Sequence, residues 1–355
     1  MKPKKRVVTT PRPLTGPAAA AGTPPGPVRL ARLPGQRQRG SLLAPRPPAD
    51  RAARLALEAE RRDAAVMDAQ LLVSGVIFGL SIGSIFFLLA IGLSLCFGLM
   101  RIISLDQLLY YSVGAYITYT THVVTGNTWL GVLGGMAAAG VVSFGVERFV
   151  FLRIYERDIA FTMITSFGIL FAGVGAIKYV WGLIPRPVPS PIEAQVTILG
   201  TGIPVYRLIV IVISLLVYVG IWLFLNRTIT GKAIRAGIED VEHVEGLGVN
   251  VYKLFTITFI IAGILSGLAG GLHAPLIMVD PQMGLEVLAF VFMVVIIGGL
   301  GSIKGTLASA FIVGQVVSLG SLIYAPLAQM APFAIMLLIL LIKPTGLYGS
   351  KLLKR

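Results

Sequence analysis

Charge is the first thing missing from this chain. Only 13% of its 355 residues are Asp, Glu, Lys or Arg, against about a quarter in a soluble domain. Hydrophobic residues reach 55% and the mean hydropathy is +0.85, so an ordinary water-soluble fold is excluded. Cysteine is nearly absent. Cys96 stands alone, which rules out an internal disulfide. It lies in the apolar run Leu93–Leu99 and reads as a small buried hydrophobe, because low-pKa thiols need positive, exposed surroundings. The three histidines, His122, His243 and His273, are too scattered to hold a metal. P-loop, HExxH and GxSxG patterns are missing, so no catalytic residue, cofactor or metal is expected. The span interiors are almost empty of the ionisable groups that ion-coupled carriers use. Asp106 and Glu286 sit near span ends, where a solvated charge is the expectation.

What the chain has in quantity is apolar sequence. A spanning helix needs roughly 20 apolar residues. Such runs read as Leu71–Met100, Leu108–Val123, Trp129–Val146, Ile159–Ile177, Leu208–Leu225, Leu254–Val279, Val287–Leu300 and a pair within Thr306–Ile342 parted near Tyr324-Ala325-Pro326. The fold expected is all-α: a polytopic membrane bundle of about eight or nine spans. A Pro-rich stretch, Pro185–Pro204, reads as a loop.

The net charge of +14 would point to nucleic acid until it is located. Residues 1–66 hold 14 Lys or Arg against 4 Asp or Glu, and the rest of the chain is only slightly basic. This Pro-, Arg- and Ala-rich segment has no apolar period and is expected to be disordered, with Ala49–Ala65 a candidate short amphipathic helix. It has no apolar core of a secretory signal. Met67, just before a clean span, reads as the natural start, with 67–350 as the membrane domain. Membrane lipid is an expected partner and nucleic acid is not.

One wet stretch interrupts the apolar runs. Arg227–Lys253 carries eight charged side chains. Lys232, Arg235 and Glu239 fall at i, i+3, i+7 on a short helix, and Gly246 and Gly248 stop it. Each charge would cost about 2.5–3.5 kcal/mol in hydrocarbon, so this helix must lie in water against the membrane face. Placing it inside puts 13 of the 16 basic residues after Met67 on the cytoplasmic side and only Lys178, Arg186 and Arg207 outside, as the positive-inside rule requires. The C-terminus is then inside and the residues after Met67 outside. A strongly basic tail facing outward breaks that rule, which favours a start placed too far upstream.

Two glycine stripes, Gly75-Gly79-Gly83 and Gly263-Gly267-Gly271, have the i+4 spacing that lets helices approach closely. They head two sets of about four spans running in opposite directions, the pattern of an inverted repeat with a site between the halves.

Taken in order, these residues resemble the permease subunits of bacterial branched-chain amino-acid ABC transporters, the LivH type. The resemblance rests on Gly79-Leu80-Ser81-Ile82-Gly83-Ser84-Ile85 with Ala90-Ile91-Gly92-Leu93, and on Gly231-Lys232-Ala233-Ile234-Arg235-Ala236 with Glu239-Asp240 and Gly248-Val249-Asn250. It rests also on Gly263–Gly271, on Pro281, Gly284 and Gly298-Gly299-Leu300-Gly301-Ser302, and on Lys343-Pro344-Thr345-Gly346-Leu347-Tyr348-Gly349. It covers nearly all of 70–349. The chain departs from the family at Ser104-Leu105-Asp106-Gln107, where Asn-Phe-Ala-His is usual, at Lys304 and at Val244. The resemblance implies a multi-pass protein of the bacterial inner membrane that is not itself an enzyme. Two ATP-binding cassette subunits would dock at Lys232, Arg235, Glu239, Asp240, Glu242 and Gly248. A second permease subunit, of LivM type or a second copy, would complete the pore, and a soluble binding protein would deliver substrate. Ser104, Gln107, Thr165, Ser166, Gly298, Gly299, Gly301 and Ser302 are the candidate pathway residues for a branched-chain or related small amino acid. Alternatives are a permease of the same family for urea or short amides, a stand-alone channel or secondary carrier, and a structural scaffold.

Overall fold

The structure, a computed structural model, describes residues 49–349 apart from Glu156 and Leu199, with side chains from residue 70 onward. The expectation of disorder for residues 1–48 lies outside the described residues. Ala49–Ala65 is helical and runs without a break into the first span. The chain divides into two units, residues 1–56, described only for the helical residues 49–56, and Leu57–Arg355, which holds the helix bundle.

The elements are α1 (Ala49–Met100), α2 (Gln107–Thr125), α3 (Thr128–Phe149), α4 (Ile159–Trp181), α5 (Val205–Arg227), α6 (Ile229–Glu239), α7 (Val241–Gly246), α8 (Val251–His273), α9 (Met283–Gly298), α10 (Ile303–Ile323) and α11 (Ala325–Ile342). A two-stranded antiparallel hairpin, β1 (Gln195–Ile198) and β2 (Thr201–Pro204), pairs Gln195 with Pro204. It stands where the Pro-rich loop was expected. Seven helices among the described residues are long and apolar enough to cross a membrane, and α9 is a shorter apolar one. The ninth run is α2, which carries Tyr, Thr, Gln and His. It needs less apolar surface because α3 and α8 enclose it: Gln107–Tyr111 and most of its later inward positions are buried.

The helix ends follow from local chemistry. Asn127 caps α3 by accepting from the N–H groups of Trp129 at 2.9 Å and Leu130 at 3.3 Å, an arrangement worth about 1 kcal/mol. Gly126 at φ +70° closes α2. α1 stops at Arg101, which takes φ +54°. From there residues 102–106 run as buried, non-helical chain before α2 begins. Such backbone is tolerated at membrane depth only inside protein. Here Ser166 of α4 donates to the carbonyl of Ile103 at 3.0 Å.

Glycine decides which helices touch. Gly75, Gly79 and Gly83 of α1 face Leu322, Gln315 and Ala310 of α10. Gly263, Gly267 and Gly271 of α8 face Ser143, Ala139 and Val132 of α3. The first helix of each set of four therefore packs within the other set: α1 lies among α9 and α10, and α8 between α2 and α3. The two sets are interleaved, not side by side. At Gly270 a Cβ would overlap the carbonyl of Tyr111, and at Gly114 the backbone of Gly267, so any larger residue there would drive α2 and α8 apart.

Candidate functional site

The loops sort to two ends, labelled inner and outer as the loop charges predict. At the inner end, Gly98 meets Gly301 and Ile238, and Leu99 meets Gly237. At the outer end, Arg186 and Val279 exchange backbone bonds of 2.9 Å, and Thr128 donates to the carbonyl of Pro189 at 3.2 Å. Segments assigned to one side by their charge thus do lie together.

At the inner end the charged stretch folds as two helices. Thr228 caps α6 by accepting from the N–H of Gly231 at 2.9 Å. Gly231, Ile234 and Gly237 form its buried stripe, continued by Val244 on α7. The opposite face is free: Lys232, Arg235, Glu239, Asp240, Glu242 and Gly248 are all exposed. Asp240 turns the chain between the helices. It accepts from the N–H of His243 at 3.1 Å and pairs with its imidazole at 2.6 Å. These contacts, the backbone one first, hold its carboxyl below the usual range. Gly248, at φ +82°, ends the turn beyond Leu247, an apolar side chain left 82% exposed.

The helix α6 sits on an open cleft of about 480 Å³. Arg235, Ile238 and Glu239 line one wall, Trp222 and Asn226 of α5 another, and Leu300–Lys304 with Tyr348 the floor. Arg235 donates to the Asn226 side-chain oxygen Oδ1 at 2.7 Å. Of the glycine-turn residues, Gly301 and Ser302 face this cleft, and Ser302 also caps α10 by accepting from Gly305 N–H at 3.2 Å. Gly298 is closed over by Gly305, and Gly299 by Gly349. The C-terminal segment binds there too: Leu347 N–H donates to Ile297 at 2.8 Å and Tyr348 N–H to Gly298 at 3.1 Å.

Ser104 and Gln107 lie elsewhere, in a buried polar knot. The Asp106 carboxylate, 0% exposed, accepts from the Ser104 hydroxyl and the Tyr110 hydroxyl, each at 2.5 Å. Gln107 reaches Ser104 at 3.4 Å and accepts from Ser266 of α8 at 2.8 Å. Ser266 is about 22 Å along α8 from its inner start, so the knot sits deep in the bundle. Asp106 is therefore not a solvated span-end charge: the chain re-enters the protein after Arg101 and carries it inward. A second carboxylate, Glu147 of α3, is also 0% exposed and accepts from Tyr155 and Thr256, both at 2.9 Å. Thr165 is half-buried and turned back onto the Phe161 carbonyl at 2.9 Å, and Ser166 is buried against Ile103. Among the described residues, neither side chain hydrogen-bonds to the glycine turn. His273 is part-buried, with Nδ1 2.5 Å from the Tyr111 hydroxyl.

Comparison with known proteins places these features. Residues 75–340 match the family described as the permease component of the branched-chain amino acid transport system. The high-affinity branched-chain amino acid transport system permease protein LivH of Salmonella typhimurium is 23% identical over 287 residues, 76% of this chain and 93% of that protein. The corresponding BraD of Pseudomonas aeruginosa is 24% identical over 287 residues, 76% of this chain and 94% of that one. A probable branched-chain amino acid transport permease protein LivH from Methanocaldococcus jannaschii is 32% identical over 156 residues, 40% of this chain and 49% of that one.

Proposed function

The chain belongs to the branched-chain amino acid transport permease family, and from that premise we propose that it forms one half of the pore of an ATP-driven importer for branched-chain or related small amino acids. It is a multi-pass membrane permease and not an enzyme; ATP hydrolysis belongs to partner subunits. The reading assigns two ATP-binding cassette subunits to the inner face, a second permease of LivM type or a second copy beside it, and a soluble binding protein outside.

The observation that carries the coupling part is the two-faced build of α6 and α7. Their buried stripe is bolted to the bundle and their charged face is exposed. A partner that moves α6 pushes on Leu99 through Gly237, and on Gly98 and Gly301 through Ile238. Those residues end α1 and the α9–α10 turn. Because the two sets of helices are interleaved, one displacement at α6 reaches both. That is the rigid, contiguous connection a coupling route needs, and it would open the pathway alternately to each side. Lys232, Arg235, Glu239, Asp240, Glu242 and Gly248 are the proposed contact surface, and exposed Leu247 offers an apolar anchor at its tip. Gly301 and Ser302 are proposed to line the inner mouth.

Co-purification with the ATP-binding subunits and substrate-stimulated ATP hydrolysis in liposomes test this. The double reversal Arg235→Glu, Glu239→Arg is expected to cut stimulated hydrolysis at least tenfold. Unchanged coupling would refute the docking assignment.

A further inference from the structure

At the outer end, a cleft of about 300 Å³ opens between α1, α5, α8 and α9, a size at the lower end of small-molecule sites. Its walls are aliphatic and aromatic: Ile82, Ile85 and Phe86 from α1, Val287 and Phe290 from α9. Phe86 and Phe290 stack with ring centroids 5.5 Å apart. Its lining also includes one cation and one anion. Arg207 stands in the first turn of α5, its guanidinium 4.1 Å over the Phe78 ring. Glu286 stands in the first turn of α9, where the helix N-terminus favours negative charge. Among the described residues, neither makes an ion pair or a side-chain hydrogen bond. His273, held by Tyr111 at 2.5 Å, completes the polar rim.

A part-buried cation and an exposed anion at the rim of one apolar pocket match the two ends of a zwitterion with a greasy body. We infer that this cleft is an outward-facing site for a zwitterionic aliphatic α-amino acid. Arg207 takes the carboxylate, Glu286 takes the ammonium, and the Ile82–Phe86–Phe290 wall takes the side chain. The inference rests on the importer reading above and adds the site and its polarity. An aliphatic amine would meet only Glu286, and an aliphatic acid only Arg207. The same charges on an apolar body also occur in a zwitterionic lipid headgroup, so the test must separate the two sources.

The test uses the full chain assembled with its partner subunits, with leucine, isopentylamine, isocaproate and phosphatidylethanolamine as probes. Leucine uptake by proteoliposomes is measured alongside ligand-induced shifts in melting temperature in lipid-free detergent. Arg207→Gln and Glu286→Gln are each expected to raise the leucine KM ~10-fold or more, the loss of one charge-assisted hydrogen bond. The Arg207→Gln change should leave weak inhibition by isopentylamine untouched, and Glu286→Gln should leave inhibition by isocaproate untouched. A merely structural role would not produce that crossed pattern. Arg207→Lys and Glu286→Asp, which keep the charges, guard against misfolding and should retain most affinity. An unchanged leucine KM in both Gln variants overturns the site and leaves the importer reading standing. Stabilisation by phosphatidylethanolamine and not by leucine assigns the cleft to lipid and overturns the inference. A wild-type assembly that moves no leucine refutes the substrate reading, and this site with it.

Discussion

Replacing Asp106 by Ala tests whether the buried knot is a keystone of the bundle. The carboxylate is the acceptor for two hydroxyls, Ser104 and Tyr110, both fully buried. Truncation strands both donors where water cannot reach them. Each orphaned buried donor costs about 1–3 kcal/mol, so Asp106→Ala should lose about 2–6 kcal/mol. Asp106→Asn keeps one acceptor oxygen and should lose about half as much. Tyr110→Phe removes one donor, so adding it to Asp106→Ala should cost little more than the Ala change alone. The cycle should then show a coupling of about 1–3 kcal/mol. Thermal unfolding of the detergent-purified variants, followed by loss of the monodisperse peak on size exclusion, reads the series. Equal stability of the Ala and wild-type proteins, or strictly additive costs in the cycle, would mean that the knot is not held as the geometry implies.

Other outcomes follow from the same contacts. Gly270→Ala should prevent stable folding, because its Cβ would overlap the Tyr111 carbonyl, whereas Gly145→Ala, with open space around it, should be neutral or stabilising by up to about 1 kcal/mol; expression and melting temperature of the pair decide it. Glu147→Ala should destabilise by about 1–3 kcal/mol through the Tyr155 hydroxyl left without its acceptor, since Thr256 keeps the Tyr252 carbonyl at 3.1 Å, and Tyr155→Phe should relieve part of that loss in the same melting assay.

Much of the architecture was legible along the chain. Apolar runs located the spans to within a few residues, since a helix in lipid must be apolar wherever lipid touches it. Leu254–Val279 was read too long: α8 stops at His273, and Ala274–Val279 leads into the outer loop, where Val279 pairs with Arg186. The two-faced loop was visible because Gly231, Ile234 and Gly237 repeat at helical spacing between two greasy runs. Arg207 and Glu286 were visible only as isolated charges at span ends, with nothing in the order of residues to bring them to one cleft.

Hydropathy and charge along the chain were enough for the membrane class, the order of the spans and the wet, two-faced stretch between α5 and α8, because both act through the local solvent each segment must meet. Only the tertiary structure decided that the two glycine-striped helices exchange places, that Asp106 and Glu147 are sealed from water, and which charges share a cleft. Those are properties of surfaces meeting across the bundle, and the cost of a buried carboxylate depends on which partners cover it, not on its neighbours in the chain.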